Sequence, residues 1–168
     1  GWMKGEAEGA MDASGYDEKA VLKDGTAVRV RAVRADDKPR LAEAFRRLEA
    51  GSIYTRFFHH KKGLSDADLR WATEVDFERD AALVVTIGAP GAEVIIGGGR
   101  YAALDEGVPP RSAEVAFTVE EDYHRKGMAR LLLQHLTVIG RDKGMGRFEA
   151  EVLSENAGML NVFARSGL

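Results

Sequence analysis

The 168-residue chain contains no cysteine. Disulfides, thiolate metal sites and a cysteine nucleophile are therefore excluded, and the composition suits a reducing compartment. No run approaches the ~20 apolar residues that span a bilayer. The first residues lack the apolar core of a signal peptide, so a cytoplasmic location without membrane attachment is expected. Charge of one sign is also scarce. Lys and Arg number 24 against 27 Asp and Glu, a net charge of -3, which offers no basic surplus for nucleic acid. G-x-S-x-G, Walker and H-E-x-x-H motifs are missing. The adjacent His59 and His60 have no further ligand at useful spacing, so no metal site is expected.

What is present is enough for a core: 45% of the residues are hydrophobic and 30% charged. This excludes wholesale disorder and fibrous classes and suits one domain with an appendage. The appendage is read at residues 1–24. That segment is rich in Gly, Ala and acids, has no period, and carries three Lys against six Asp or Glu. From Gly25 onward 21 basic residues face 21 acidic ones. Residues 1–24 are thus expected to be a flexible acidic arm, in part a tag remnant, with the folded domain at 25–168.

Within the domain, strand and helix signals alternate. Thr26 to Arg34 alternates apolar and basic residues and predicts a strand. Asp36 and Asp37 precede a helical pattern that runs to about Ala50, with Gly51 as its stop. Ser65 or Asp66 starts a second helix. Ala81 to Ile87 and Val94 to about Ala103 predict a hairpin, and Ser112 to Val119 a further strand. The strongest helix spans Lys126 to Lys143, with Met128, Leu131, Leu132, His135, Leu136 and Ile139 along one stripe and Gly144 as C-cap. Arg147 to Leu153 predicts a strand and Asn156 to Ser166 a last helix. A hairpin followed by a strand–helix–strand crossover implies an α/β chain with a mixed, mostly antiparallel sheet and helices on both faces. Gly97, Gly99 and Ala102 fit a dinucleotide fingerprint, G-x-G-x-x-A. That motif needs a helix next, whereas Asp105, Gly107, Pro109 and Pro110 follow. A bulged strand explains these glycines better.

The chemistry concentrates in the turn before the long helix. Unpaired N–H groups and the helix dipole favour an anion there. Gly127 permits close approach to the backbone of Lys126 to Arg130, and Arg125, Lys126 and Arg130 add cations. This is a plausible pyrophosphate cradle, and equally an ordinary helix start with a solvated basic turn.

The stretch SAEVAFTVEEDYHRKGMARLLLQHL (Ser112 to Leu136) resembles motif A of the GNAT superfamily of acetyl-CoA-dependent N-acetyltransferases. Gly127 and Ala129 match its glycine-rich turn, while His124 stands where Gln or Arg is usual. The resemblance continues in VLSENAGMLNVFARSGL and, upstream, in VRVRAVRADDKPRLAEAF, SIYTRFF and VDFERDAALV. These stretches look like the GNAT domains of bacterial protein lysine acetyltransferases that modify acyl-CoA synthetases. The resemblance covers about residues 26 to 168. It implies a GNAT fold whose central strands splay apart near Thr118 and Val152. Acetyl-CoA would lie with its pantetheine along Phe117, Thr118 and Val119. Its diphosphate would meet the cradle of His124, Arg125, Lys126, Gly127, Met128, Ala129 and Arg130. Asn156 aligns with an Asn that commonly contacts pantetheine, and it can also simply cap the last helix.

Glu114 sits in an otherwise apolar strand, where a charge is unfavourable unless used or paired. In the family a Glu in a similar setting is the general base, which makes Glu114 the catalytic candidate. The alternatives are a solvent-facing residue or a partner for an Arg such as Arg100. Many relatives carry a Tyr that protonates the leaving thiolate; that position is Phe163 here. The acceptor is expected to be a primary amine, first a protein lysine and second a small amine or amino acid. A non-catalytic acyl-CoA-binding regulatory domain is the reading from a different class. The family usually adds at least one strand after the last helix. The chain ends at Leu168, so a truncated C-terminus or a partner covering the edge near Glu151, such as a second copy in a homodimer, is expected.

Overall fold

A computed structural model describes residues 12–51, 65–119 and 127–149. Among the described residues six strands form one sheet in chain order: β1 (Asp17–Val21), β2 (Ala27–Ala32), β3 (Asp80–Ile87), β4 (Val94–Ala103), β5 (Ser112–Val119) and β6 (Arg147–Glu149). The first five pair antiparallel and β6 joins β5 in parallel. A parallel neighbour requires a crossover, which α3 (Met128–Asp142) supplies. The expected mixed sheet is thus present. Register divides its two faces. Leu83, Gly99 and Phe117 share a row under α3, where Leu136 packs against the glycine. Val84, Gly98 and Thr118 share a row on the opposite face, under α1 (Lys38–Gly51) and α2 (Asp66–Thr73).

One boundary needs correction. Residues 12–24 are not a free arm. Asp17–Val21 is β1, paired with β2 from Asp17↔Arg31 to Val21↔Ala27, and Ala13 and Leu22 are buried in the core. The turn between β1 and β2 closes through Leu22 N–H to the Thr26 carbonyl at 2.9 Å. Asp24 Oδ1 accepts from the Thr26 amide and hydroxyl, and Gly25 takes φ +90°. An edge strand needs ladder hydrogen bonds more than apolar side chains, so the polar sequence DEKAV concealed it. Residues 1–11 lie outside the described residues.

The start of α1 also differs from expectation. Ala35–Asp37 forms a 3₁₀ turn, and Asp37 is fully buried rather than a surface cap. Its carboxylate accepts from Arg31 Nη1 at 2.9 Å, Arg31 Nη2 at 2.7 Å and the Arg34 amide at 2.8 Å. Burial alone raises the Asp37 pKa, but the bonds from Arg31 and Arg34 and their charges outweigh it and hold the group below the ordinary range. Arg31 also donates to Glu93, so one buried guanidinium ties β2 to the start of α1 and to the β3–β4 turn.

The remaining elements follow the sequence closely. Ser65 caps α2, its Oγ accepting from the Asp68 amide while Asp68 accepts from the Ser65 amide. A bulge interrupts the β3–β4 register beside Gly97, after which β4 runs straight through to Ala103. In α3, Met128, Leu132, Leu136 and Ile139 are buried as expected, and Leu133 joins them. His135 is half-buried and meets the Tyr16 hydroxyl at 2.5 Å, fastening the segment before β1 to α3. Gly144 follows the helix at φ +89°. Strand residues beyond Glu149 and the expected last helix lie outside the described residues.

Candidate active site

Strand β5 carries the site because alternation points its side chains to two different environments. Ala113, Val115 and Phe117 are buried toward α3. Glu114, Ala116 and Thr118 face the α1 and α2 side and are each half-buried. Three cross-sheet rows build that second face. Arg31, Val84, Gly98 and Thr118 form the first, and Ala82, Arg100 and Ala116 the second. Asp80, Ala102, Glu114 and Glu149 form the third. Glu114 thus stands in an acidic row, with Glu149 opposite it in the parallel pair.

Above the first two rows lies a cavity of about 100 Å³. Leu41, Phe45 and Trp71 wall it from the helices, and Val84, Gly98 and Thr118 from the sheet. Arg100 bounds the cavity toward the acidic row. Its guanidinium lies 3.7 Å from the Trp71 ring centroid, and it donates to the Trp71 carbonyl at 2.7 Å and to Asp80 Oδ2 at 2.6 Å. Arg100 thus clamps α2 to β3.

On the other face, the start of α3 has the features of an anion cradle. Gly127 is its N-cap at φ +85°, with no side-chain capping bond and no acid in the first turn. A side chain would be strained there, which favours glycine. Arg130 is exposed on that turn. Met128 is buried against Gly97, which seats the helix start beside the end of β5.

Sequence reasoning missed one cation here. The stem of Lys23, from the β1–β2 turn, lies across Gly127. Its Cγ and Cε are each 3.2 Å from where a Cβ would stand on that glycine. The Asp24-Gly25 dipeptide between two strand-like runs is a strong hairpin signal and could have revealed the turn. Nothing in the sequence links that turn to position 127. The described residues therefore fit a diphosphate: the first-turn amides of a helix, a glycine N-cap and cationic side chains at a dipole's positive end.

Of the expected site residues, Glu114, Phe117, Thr118, Val119, Gly127, Met128, Ala129 and Arg130 fall on β5 and the first turn of α3. Phe117 turns its ring toward α3, against Gly99, so only its backbone is offered to a ligand along the strand edge. His124, Arg125, Lys126, Asn156 and Phe163 lie outside the described residues, as does the expected splay near Val152. Among the described residues no helix is long and apolar enough to cross a membrane.

Known proteins share this fold. A crystal structure of the GNAT domain of S. lividans PAT superposes with a TM-score of 0.78 at 35% identity, over 90% of this chain and 86% of that one. A cAMP-binding acyltransferase from Mycobacterium smegmatis gives 0.62 at 29%, over 89% of this chain and 43% of that one. The acetyltransferase Pat of Mycolicibacterium smegmatis is 35% identical over 116 residues, which are 69% of this chain and 33% of Pat. Acetyltransferase PA5475 of Pseudomonas aeruginosa is 28% identical over 147 residues, 87% of this chain and 77% of that protein. The chain thus spans a third of Pat and just over three quarters of PA5475. The model of the Acetyltransferase (GNAT) family matches residues 43–168, and the chain belongs to that family of acetyl-CoA-dependent N-acetyltransferases.

Proposed function

We propose that this domain acetylates a lysine side chain of another protein, such as an acyl-CoA synthetase, by direct attack on acetyl-CoA in a ternary complex. The observation that carries the reading is the two-sidedness of β5. Glu114 and Thr118 share the face with the apolar cavity, while the bare start of α3 abuts the other face of the same strand. Coenzyme would lie along β5 with its diphosphate on the amides of Met128 to Arg130. The acceptor would come from the cavity side. Apolar walls suit the methylene stem of a lysine, and the Glu114 carboxylate suits its cationic head, whereas Asp80 and Glu149 are already paired with Arg100 and Arg147. The resemblance to protein acetyltransferase domains points the same way.

Near neutral pH about one lysine in a thousand is unprotonated, given a pKa near 10.4, so supplying the neutral amine is worth roughly 4 kcal/mol. Glu114 takes the proton, directly or through water. The amine nitrogen then attacks the thioester carbonyl carbon and loses its second proton to water, the C–S bond breaks, and the coenzyme leaves as a thiolate. The position where relatives carry a Tyr is Phe163, so water protonates the thiolate or it departs as the anion. A chain without cysteine cannot form an acetyl-cysteine intermediate. Initial-rate kinetics against a lysine peptide should therefore show intersecting lines, and a ping-pong pattern contradicts direct attack. Glu114→Gln should lower turnover by about 10²- to 10⁴-fold while acetyl-CoA still binds. Unchanged turnover removes Glu114 from the mechanism.

A further inference from the structure

Gly97 and Gly98 are neighbours in β4 that face opposite sides of the sheet. A Cβ built on Gly97 would fall well inside contact distance of Met128 Sδ, and 3.3 Å from the Thr118 carbonyl oxygen. Met128 is 1% exposed and belongs to the core, so its thioether would have to shift among core side chains rather than into solvent. It is also the first residue of α3 and follows the bare Gly127 directly. A Cβ on Gly98 would instead meet the Leu83 carbonyl at 3.2 Å and Val84 Cγ1 at 4.0 Å, both away from α3.

We propose that Gly97 is a positioning residue for the coenzyme: its missing side chain lets Met128 sink onto β4 and so fixes the start of α3 against the end of β5. The inference rests on the reading above, that the diphosphate meets the first turn of α3. It adds that the height of that turn over the sheet is set from β4, a strand that contributes no side chain to the cradle. Overpacking at this point displaces Met128 and with it the amides that would grip the diphosphate. Gly98 has no such role, because its side of the strand faces the cavity.

The test is calorimetric titration of acetyl-CoA into the purified chain and three variants, with Tm recorded for each. Gly97→Ala should weaken acetyl-CoA binding about tenfold. Gly98→Ala should leave the Kd within about twofold, even where its Tm falls as far as that of Gly97→Ala. Removing the thioether in Gly97→Ala/Met128→Ala should restore the Kd to that of Met128→Ala alone. A purely structural glycine would lower Tm in both alanine variants without separating their Kd values, and that result overturns the proposal. So does a double variant that binds as weakly as Gly97→Ala. If Gly97→Ala does not fold, the double variant is read against Met128→Ala. Equal Kd values support the route through Met128, and a tenfold difference overturns it. Failure of the unaltered chain to bind acetyl-CoA would overturn the functional reading itself, and this inference with it.

Discussion

The two faces of the sheet are built on opposite plans. Toward α3 the packing closes around glycines: Met128 lies on Gly97, Phe117 and Leu136 on Gly99, and Phe148 on Gly140. A methyl group added at any of these three positions would collide with a neighbour. Toward α1 and α2 the same strands leave a cavity and place charges beneath the helices: Arg31, Arg100 and Asp80, with Asp37 meeting Arg31 from the turn before α1. Dense packing specifies where a helix sits, whereas a cavity rimmed by charge forgoes packing to admit a ligand. In the function proposed above, the α3 face would hold the coenzyme end rigid, and the other face would leave room for an acceptor.

Four measurements sharpen that contrast, beginning with the largest effect. Asp37→Ala would leave the buried Arg31 guanidinium with only Glu93 as a charged partner, and should cost about 3–5 kcal/mol in denaturant unfolding. A loss below about 1 kcal/mol would show that the charged face tolerates a buried cation stripped of one of its two charged partners. Leu136→Ala, on the dense face, should cost about 2–5 kcal/mol. Leu41→Ala, in the half-buried cavity wall, should cost less than about 1.5 kcal/mol. Equal losses would erase the distinction between the faces. Lys23→Ala removes a cation from the start of α3 without touching the core. It should raise the KM for acetyl-CoA about two- to fivefold, more at low salt than at high. Lys23→Arg should keep most of the affinity, and a KM unmoved by loss of the charge would remove Lys23 from the site.

The smallest effect is a pH dependence at the seam between β1 and α3. Burial lowers the pKa of His135, against a weaker opposing pull from Glu18. The unfolded chain therefore takes up this proton first as pH falls. The contribution of His135 is complete above its unfolded pKa of about 6.5 and is lost as pH drops from there toward the lower folded pKa. Tm should fall more steeply between about pH 7 and 5 in the unaltered chain than in His135→Gln. Parallel Tm curves would show that the Tyr16–His135 contact carries no such linkage.

The dense face was the more legible in the sequence. The buried stripe of α3 and the whole of β5 follow from periodicity, because side chains packed into one core must repeat with the element's own pitch. Ser65 or Asp66 marked the start of α2, and the reciprocal bonds between Ser65 and Asp68 give the cap to Ser65. Charged and edge features were harder to read. β1 has only one half-buried residue and announces itself by a turn dipeptide rather than by hydrophobicity. Asp37 reads as a surface cap in sequence, since only the fold brings Arg31 beneath it. Lys23 and Gly127 are far apart in the chain, as are Tyr16 and His135, and no local pattern encodes either meeting. Glu114 was legible because one acid among apolar residues stands out, whereas the acidic row around it exists only through register.

Hydrogen exchange resolved to single amides, with and without acetyl-CoA, probes the site most directly. Slower exchange at Met128, Ala129 and Arg130 on adding coenzyme is the expected result, since these amides would be donating to its diphosphate. Saturating coenzyme that leaves those three amides unchanged, while protecting some other part of the chain, would contradict the assignment.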